Sequence, residues 1–166
     1  MFNLGEFMFP KGLAGNQIDV IVRQDIWKES LDYRHGSGHG VGHVLSVHEF
    51  PPNIRLNTTG NGSETTPILP GHIFSDEPGI YHEGKYGIRC ENLLLCVKDD
   101  ENEFGQFLRF ETLTLCPFDR KLIDKDYLDE KALNALNSYH KRVYETLSPY
   151  LNKDEKKFLK EKTKPL

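Results

Sequence analysis

Cysteine is scarce in this chain: Cys90, Cys96 and Cys116 are the three among 166 residues. The count is odd and no CxxC spacing occurs, which excludes a disulfide framework and a thiolate zinc knot. A chain so poor in cysteine suits a reducing compartment. No apolar run approaches the roughly 20 residues that a bilayer span needs, so no membrane partner is expected. A net positive charge is lacking as well. The net charge is −4, and phosphate binding wants a basic face, so nucleic acid is excluded as a main partner. The opening stretch, MFNLGEFMFPKG, lacks the basic start and small-residue cleavage site of a signal peptide. The expected location is cytoplasmic.

What is present is enough for one compact domain. Hydrophobic residues make up 37%, a low figure that the lysine-rich stretch from Asn152 to Lys164 pulls down. Phe and Tyr are plentiful over Phe9 to Leu147, so a packed core is expected there. The division read from the sequence is a body over residues 1–150 and a charged tail over 151–166.

Periodicity gives the elements. Residues 1–12 read as extended, with Pro10 limiting any helix. From Ala14 to Glu29, Ile18, Ile21, Val22 and Ile26 recur at helical spacing. Val44 to Glu49 reads as a strand, and Pro51 to Pro70 as a long polar loop with a turn at Asn61-Gly62. Strands are expected over 72–76, 86–97 and 107–115, with a hairpin tip over Asp99 to Gly105. Asp126 is the expected cap of a second long helix, whose apolar positions run from Leu128 through Leu136, Tyr139 and Val143 to Leu147. Ser148-Pro149 ends it, and a short charged helix follows from Asn152.

The chemistry concentrates in four segments: His35-Gly36-Ser37-Gly38-His39-Gly40-Val41-Gly42, Val47-His48-Glu49, Asp76-Glu77-Pro78-Gly79-Ile80-Tyr81 and Gly87-Ile88-Arg89-Cys90-Glu91-Asn92. They bring imidazoles and carboxylates from separate places, as a metal site for hydrolysis requires. His39, Glu77 and Glu91 are the candidate ligands. Taken singly, each is more often an ordinary core or solvated residue. Four glycines between 36 and 42 cannot form a helix interior. The segment must be an irregular or bulged strand whose backbone approaches something closely. That excludes the helical HExxH reading of the His35 and His39 spacing, and no window fits GxGxxG. If 86–97 is one strand, Arg89 and Glu91 share a face and Cys90 packs on the other. His48, near His39, can polarise a carbonyl or steady an oxyanion. His43, His72, His82 and His140 read as surface or loop residues.

HGSGHGVG, VHE, DEPGIY and GIRCEN, in that order, resemble the second half of the Xaa-Pro aminopeptidases (aminopeptidase P), metallopeptidases of the pita-bread fold. FPKG before the first helix and the FETLTLCPFDRKLID ending fit as well, so the resemblance runs from about Phe9 to the C-terminus. It implies an α+β fold, half of a pita-bread domain, with a curved and mostly antiparallel sheet and outer helices. It implies that His39, Glu77 and Glu91 are metal ligands, with Glu91 bridging two ions. His35 and His48 would line the substrate site and stabilise the tetrahedral intermediate. Tyr81 and Arg89 would buttress it, and Glu77 would shuttle the proton. The implied metal is Mn(II) or Zn(II), possibly two ions in a full-length parent. The implied substrates are peptides with proline at the second position. The family's two aspartate ligands precede the FPKG segment, so three of five ligands are expected here, and the isolated chain is expected to be inactive. The alternative is a pita-bread binding module without catalysis. Loss of the first half would bare the strand face at Leu93, Leu95 and Val97, from which a homodimer is expected.

Overall fold

In a computed structural model, the structure describes the whole chain except Leu45, Pro51, Thr58, Thr59 and Asn61. The elements, in order, are α1 (Phe2–Gly5), β1 (Met8–Pro10), α2 (Gly15–Lys28), β2 (Gly38–His39), β3 (Asn53–Ile54), β4 (Ile73–Asp76), β5 (Gly79–His82), β6 (Tyr86–Arg89), β7 (Asn92–Asn102), β8 (Gly105–Thr112), α3 (Glu130–Leu147) and α4 (Lys153–Lys162). They divide into two compact units. Met1 with Asn3–Leu113 forms the first, and Phe2 with Thr114–Leu166 the second.

The first unit is built on an antiparallel four-stranded sheet in the order β1-β8-β7-β4, beside the two-stranded pairs β2-β3 and β5-β6. Its longest piece is the β7–β8 hairpin. Alternation dictates it: Leu94 and Cys96 on β7 and Leu108 and Phe110 on β8 turn to one face and are buried. The turn closes where Asn102 Oδ1 accepts the Phe104 N–H at 2.9 Å and Gly105 takes φ +111, a backbone that favours glycine. Leu93, Leu95 and Val97 take the opposite face and are half-buried. Helix α2 lays Ile18 and Val22 against the core, which also holds Leu4, Phe9, Ile54, Ile68 and Phe74. Phe110 contacts Phe9 and Phe74, with ring centroids 5.2 and 5.8 Å apart.

The second unit packs α3 and α4 around Tyr139, Val143 and Leu159. Leu136, Tyr139, His140 and Val143 are the buried positions of α3, the i, i+3, i+4, i+7 stripe of an amphipathic helix. Asn152 caps α4, accepting from the Asp154 and Glu155 N–H groups, and Glu155 returns a bond to the Asn152 N–H, which completes a capping box.

Several sequence expectations need correction. Residues 1–12 are not all extended, because the Met1 carbonyl accepts the Leu4 and Gly5 N–H groups and starts α1. The segment 44–49 is a loop, not a strand, over its described residues. It is closed by its own bonds, Gly42 N–H to Ser46 O and Glu49 N–H to Gly40 O, and Leu45 lies outside the described residues. Of the 51–70 loop, Asn53–Ile54 pairs with β2. The expected turn at Asn61-Gly62 falls partly on an undescribed residue. Residues 86–97 are two strands broken at Cys90-Glu91, so Cys90 is exposed and not packed. The β7 strand runs on to Asn102 and shortens the hairpin tip. Asp129, not Asp126, caps α3 by accepting from the Ala132 N–H at 2.7 Å. His140 is fully buried.

Candidate metal and catalytic site

Gly38 lets the 35–42 segment lie against β4, and Gly40 lets it lie against the chain at Glu49. A Cβ on Gly38 would stand 2.0 Å from the Ser75 carbonyl oxygen, and one on Gly40 would stand 2.3 Å from that of Glu49. With those side chains absent, Gly40 bridges Phe74, and the Glu77 N–H reaches the Ser37 carbonyl at 2.7 Å. The close approach expected from the sequence is thus made to the end of β4. It sets His39 opposite Glu77.

His39 Nε2 lies 3.0 Å from Glu77 Oε1. Ser75 tightens the pair, since its hydroxyl accepts the His39 N–H and donates to Glu77 Oε1, both at 3.0 Å. The Glu77 side chain is nearly buried, yet its pKa is held below the ordinary carboxylate value. Burial works against ionisation, but the hydrogen bonds from His39 and Ser75 and the charges of His39 and Arg89 outweigh it. His39 is shifted up by its bond to Glu77, against burial, with further help from the Gly40 carbonyl and the charges of Glu77 and Glu91.

A second chain of bonds runs beside the first. Arg89 places Nη1 on Glu77 Oε2 at 2.9 Å and donates from Nε to Tyr81 Oη at 2.7 Å. Tyr81 Oη lies 3.0 Å from His35 Nε2, and His35 Nδ1 lies 2.7 Å from the Gly36 carbonyl. For a neutral imidazole, one proton arrangement satisfies all of these. His35 carries its hydrogen on Nδ1, and Tyr81 donates to Nε2 while accepting from Arg89.

The residues expected from the sequence are therefore brought together to different degrees. His35, His39, Glu77 and Arg89 line one cavity of about 380 Å³ with His48, whose ring lies 4.3 Å from that of His39. Tyr81 joins through its hydroxyl. Glu91, exposed at the break between β6 and β7, acts on His39 and Arg89 through its charge. Among the described residues, no group of three or more His, Cys, Asp or Glu is gathered closely enough to hold a metal ion.

Two donors nevertheless suit one. His39 Nδ1 turns to the Gly40 carbonyl at 2.9 Å, the outer contact that orients a metal-binding imidazole. That leaves the Nε2 lone pair facing a carboxylate oxygen. Two acceptors at 3.0 Å share a cation, either a proton or a metal. Donors each about 2.1 Å from one ion stand that far apart when they subtend a right angle. The pair fits part of a metal site.

Three residues escaped the sequence reading. Ser75 carried no signal beyond its place in a strand. Arg23 is buried on α2, where it binds Asp19 at 2.5 Å, Asp32 at 2.8 Å, and the carbonyls of Tyr33 and His35 at 2.7 Å each. It pins the loop that carries His35, and Asp19 and Arg23 one turn apart on a mainly apolar face were the available clue. Asp76 is fully buried, with neither carboxylate oxygen hydrogen-bonded among the described residues. Burial raises its pKa to about 7.

Comparison with known proteins assigns the family. Residues 3–98 match metallopeptidase family M24, and residues 106–166 match the C-terminal region of peptidase M24. The chain belongs to metallopeptidase family M24. Within the family it is 41% identical to aminopeptidase P1 of Arabidopsis thaliana and 44% identical to a probable Xaa-Pro aminopeptidase P of Arthroderma gypseum. It aligns over 98% and 96% of its own length and 25% of each relative. The crystal structure of X-prolyl aminopeptidase from Caenorhabditis elegans, described as a cytosolic enzyme with a di-nuclear active site, superposes with a TM-score of 0.86 at 38% identity. That match covers 99% of this chain and 27% of that one. The chain thus spans about a quarter of the length of these M24 relatives. The α+β half-pita-bread fold expected from the motifs is the fold found, an open antiparallel sheet in the first unit with α2 packed on its core.

Proposed function

We propose that this chain is the metal-binding part of an Xaa-Pro aminopeptidase, which releases the N-terminal residue from peptides with proline at the second position. The observation that carries the reading is the meeting of His39 Nε2 and Glu77 Oε1 beside the Arg89–Tyr81–His35 chain of hydrogen bonds. His39, Glu77 and Glu91 are the residues that would hold a divalent ion, Mn(II) or Zn(II). A bound ion supplies a nucleophilic water at neutral pH and a Lewis acid for the carbonyl.

The remaining work falls to the side chains. Glu77, kept ionised by His39, Ser75 and Arg89, would take the proton that the attacking water loses and pass it to the proline nitrogen as it leaves. His48, whose ring lies 4.3 Å from that of His39, lines the same cavity and would donate to the developing oxyanion. With its hydrogen on Nδ1 against the Gly36 carbonyl, His35 offers a lone pair at Nε2, so it orients substrate as an acceptor. With three ligands of the five that the family uses, the isolated chain is read as inactive and as a weak metal binder. Its compartment is read as cytoplasmic, and its assembly as a homodimer covering Leu93, Leu95 and Val97. The separation of Glu91 from the His39–Glu77 pair favours one alternative, a pita-bread binding module without catalysis.

Complementation tests the reading. The chain alone, with Mn(II) or Zn(II), is expected to release no alanine from Ala-Pro-Ala. Mixed or co-expressed with the upstream segment of an M24 relative, it is expected to do so, and Glu77→Gln or Glu91→Gln should abolish the release. Failure of the reconstituted pair, once shown to associate, would support the binding module. Light scattering of the isolated chain tests the dimer, which a clean monomer would overturn.

A further inference from the structure

Arg55 is the cation of this cavity that no described acid neutralises. Arg89, the other guanidinium there, is engaged by Glu77 and Tyr81. Arg55 makes no ion pair among the described residues, and its Nε is buried with no hydrogen-bond partner among them. A buried guanidinium N–H without an acceptor is costly, which points to an acceptor that arrives from outside the chain. The β2–β3 ladder aims it. His39 pairs with Asn53 and Gly38 with Ile54, so Ile54 turns into the core while Asn53 and Arg55 turn to the cavity side with His39. All three line the cavity. The Arg55 stem rests against the backbone at Gly36, where a Cβ would sit 3.3 Å from its own Cβ. Asn53 donates from Nδ2 to Ser63 at 3.1 Å, and its Oδ1 is likewise buried and unpartnered among the described residues.

An acceptor-seeking guanidinium and a donor-seeking amide oxygen on one strand match the end of a peptide. We infer that Arg55 and Asn53 form a subsite for the residue after proline, Arg55 taking its C-terminal carboxylate and Asn53 Oδ1 its N–H. Proline has no N–H, so the next residue offers the first backbone donor past the scissile bond. A cavity of about 380 Å³ lies in the range of small-ligand sites and suits a peptide of two or three residues. The inference rests on the peptidase reading and narrows it: the substrate class is short peptides that end just past the proline.

The test compares Ala-Pro-Ala as the free acid with its C-terminal amide, titrated into the native chain and followed by ¹⁵N–¹H NMR, including the Arg55 Nε–H resonance. The free acid is expected to bind roughly tenfold tighter, as one charge-assisted hydrogen bond implies, and to move the Arg55 Nε–H. The amide is expected to move His35, His39 and Asn53 signals and to leave the Arg55 Nε–H in place. Arg55→Gln should erase the acid-over-amide difference, and Arg55→Lys should restore part of it. Equal binding of acid and amide, with His35 and His39 shifted by both, would overturn this inference and leave the peptidase reading standing. No shift in the cavity with either peptide would overturn this inference, and the peptidase reading would then stand or fall on the complementation assay.

Discussion

Arg89 and Glu77 meet across the turn at Pro78-Gly79, guanidinium Nη1 on carboxylate Oε2 at 2.9 Å. The contact joins two strands that are otherwise unpaired with each other, the end of β4 and the end of β6. It also commits the Glu77 carboxylate. One oxygen faces Arg89, and the other faces His39 and Ser75. A carboxylate held from both sides keeps its charge despite burial, which a metal ligand or a proton acceptor needs.

Replacing that guanidinium gives the first prediction. In Arg89→Met the pKa of Glu77 should rise, because burial still penalises the charge and one of the opposing cations is gone. A pH titration of the Glu77 carboxyl carbon by ¹³C NMR reads this directly. An unchanged midpoint would mean that His39 and Ser75 suffice.

The glycines of the 35–42 segment give a second. Gly38→Ala places a methyl on the Ser75 carbonyl, and backbone cannot yield as a side chain can. The expected cost is about 1–3 kcal/mol in urea unfolding, with loss of the His39–Glu77 contact. Gly5→Ala is the control. Its Cβ would meet Thr112 Oγ1 at 3.6 Å, an ordinary contact, so stability should change by less than about 1 kcal/mol. Equal effects would show that the close approach at Gly38 is unimportant.

The sequence made these glycines legible because four of them in eight residues leave few physical options. The α2 helix and the β4, β7 and β8 strands were legible for a similar reason, in that their apolar spacing has one period. Three places were not. The 44–49 segment has apolar residues, but Val44 and Val47 are exposed and the loop is closed by local backbone bonds that leave no mark on hydrophobic spacing. The break at Cys90-Glu91 divides one β-like run, and with it fell the face assignment that made Cys90 a packed residue and set Glu91 beside Arg89. His140 looked like a surface residue because a polar side chain on α3 carries no sign of its partner, the Phe118 N–H, 22 positions earlier. The ligand motifs could be read as types and order. That His39 and Glu77 touch while Glu91 stands apart is a matter of tertiary placement, which spacing along the chain does not encode.

The α3 cap gives a third prediction, on a point where local reading chose the wrong aspartate. Asp129 accepts from the Ala132 N–H, whereas Asp126 lies in a 3-10 turn that Asp124 caps. Asp129→Ala should cost about 1 kcal/mol, and Asp126→Ala less than about 0.5 kcal/mol. Thermal unfolding of the two variants separates them, and the reverse order would return the cap to Asp126.

The last prediction concerns pH. His140 is fully buried on α3, its Nε2 accepts the Phe118 N–H at 3.1 Å, and its Nδ1 is unpartnered among the described residues. Burial first, and then the charge of Arg120, push its pKa below the ordinary histidine value. The sign follows from which state binds the proton. Above about pH 6.5 the ring is neutral both folded and unfolded, and its contribution to stability is fully present. As pH falls below that, the unfolded chain takes up a proton that the folded chain resists. Stability is then lost progressively until pH passes the lowered folded-state value. The urea midpoint should therefore decline from about pH 6.5 downward. His140→Gln keeps an acceptor for the Phe118 N–H and removes the titrating ring, so its decline over the same range should be shallower, with the two curves converging above neutrality. Parallel curves for the two proteins would show that protonation of other groups drives the loss and that His140 is silent.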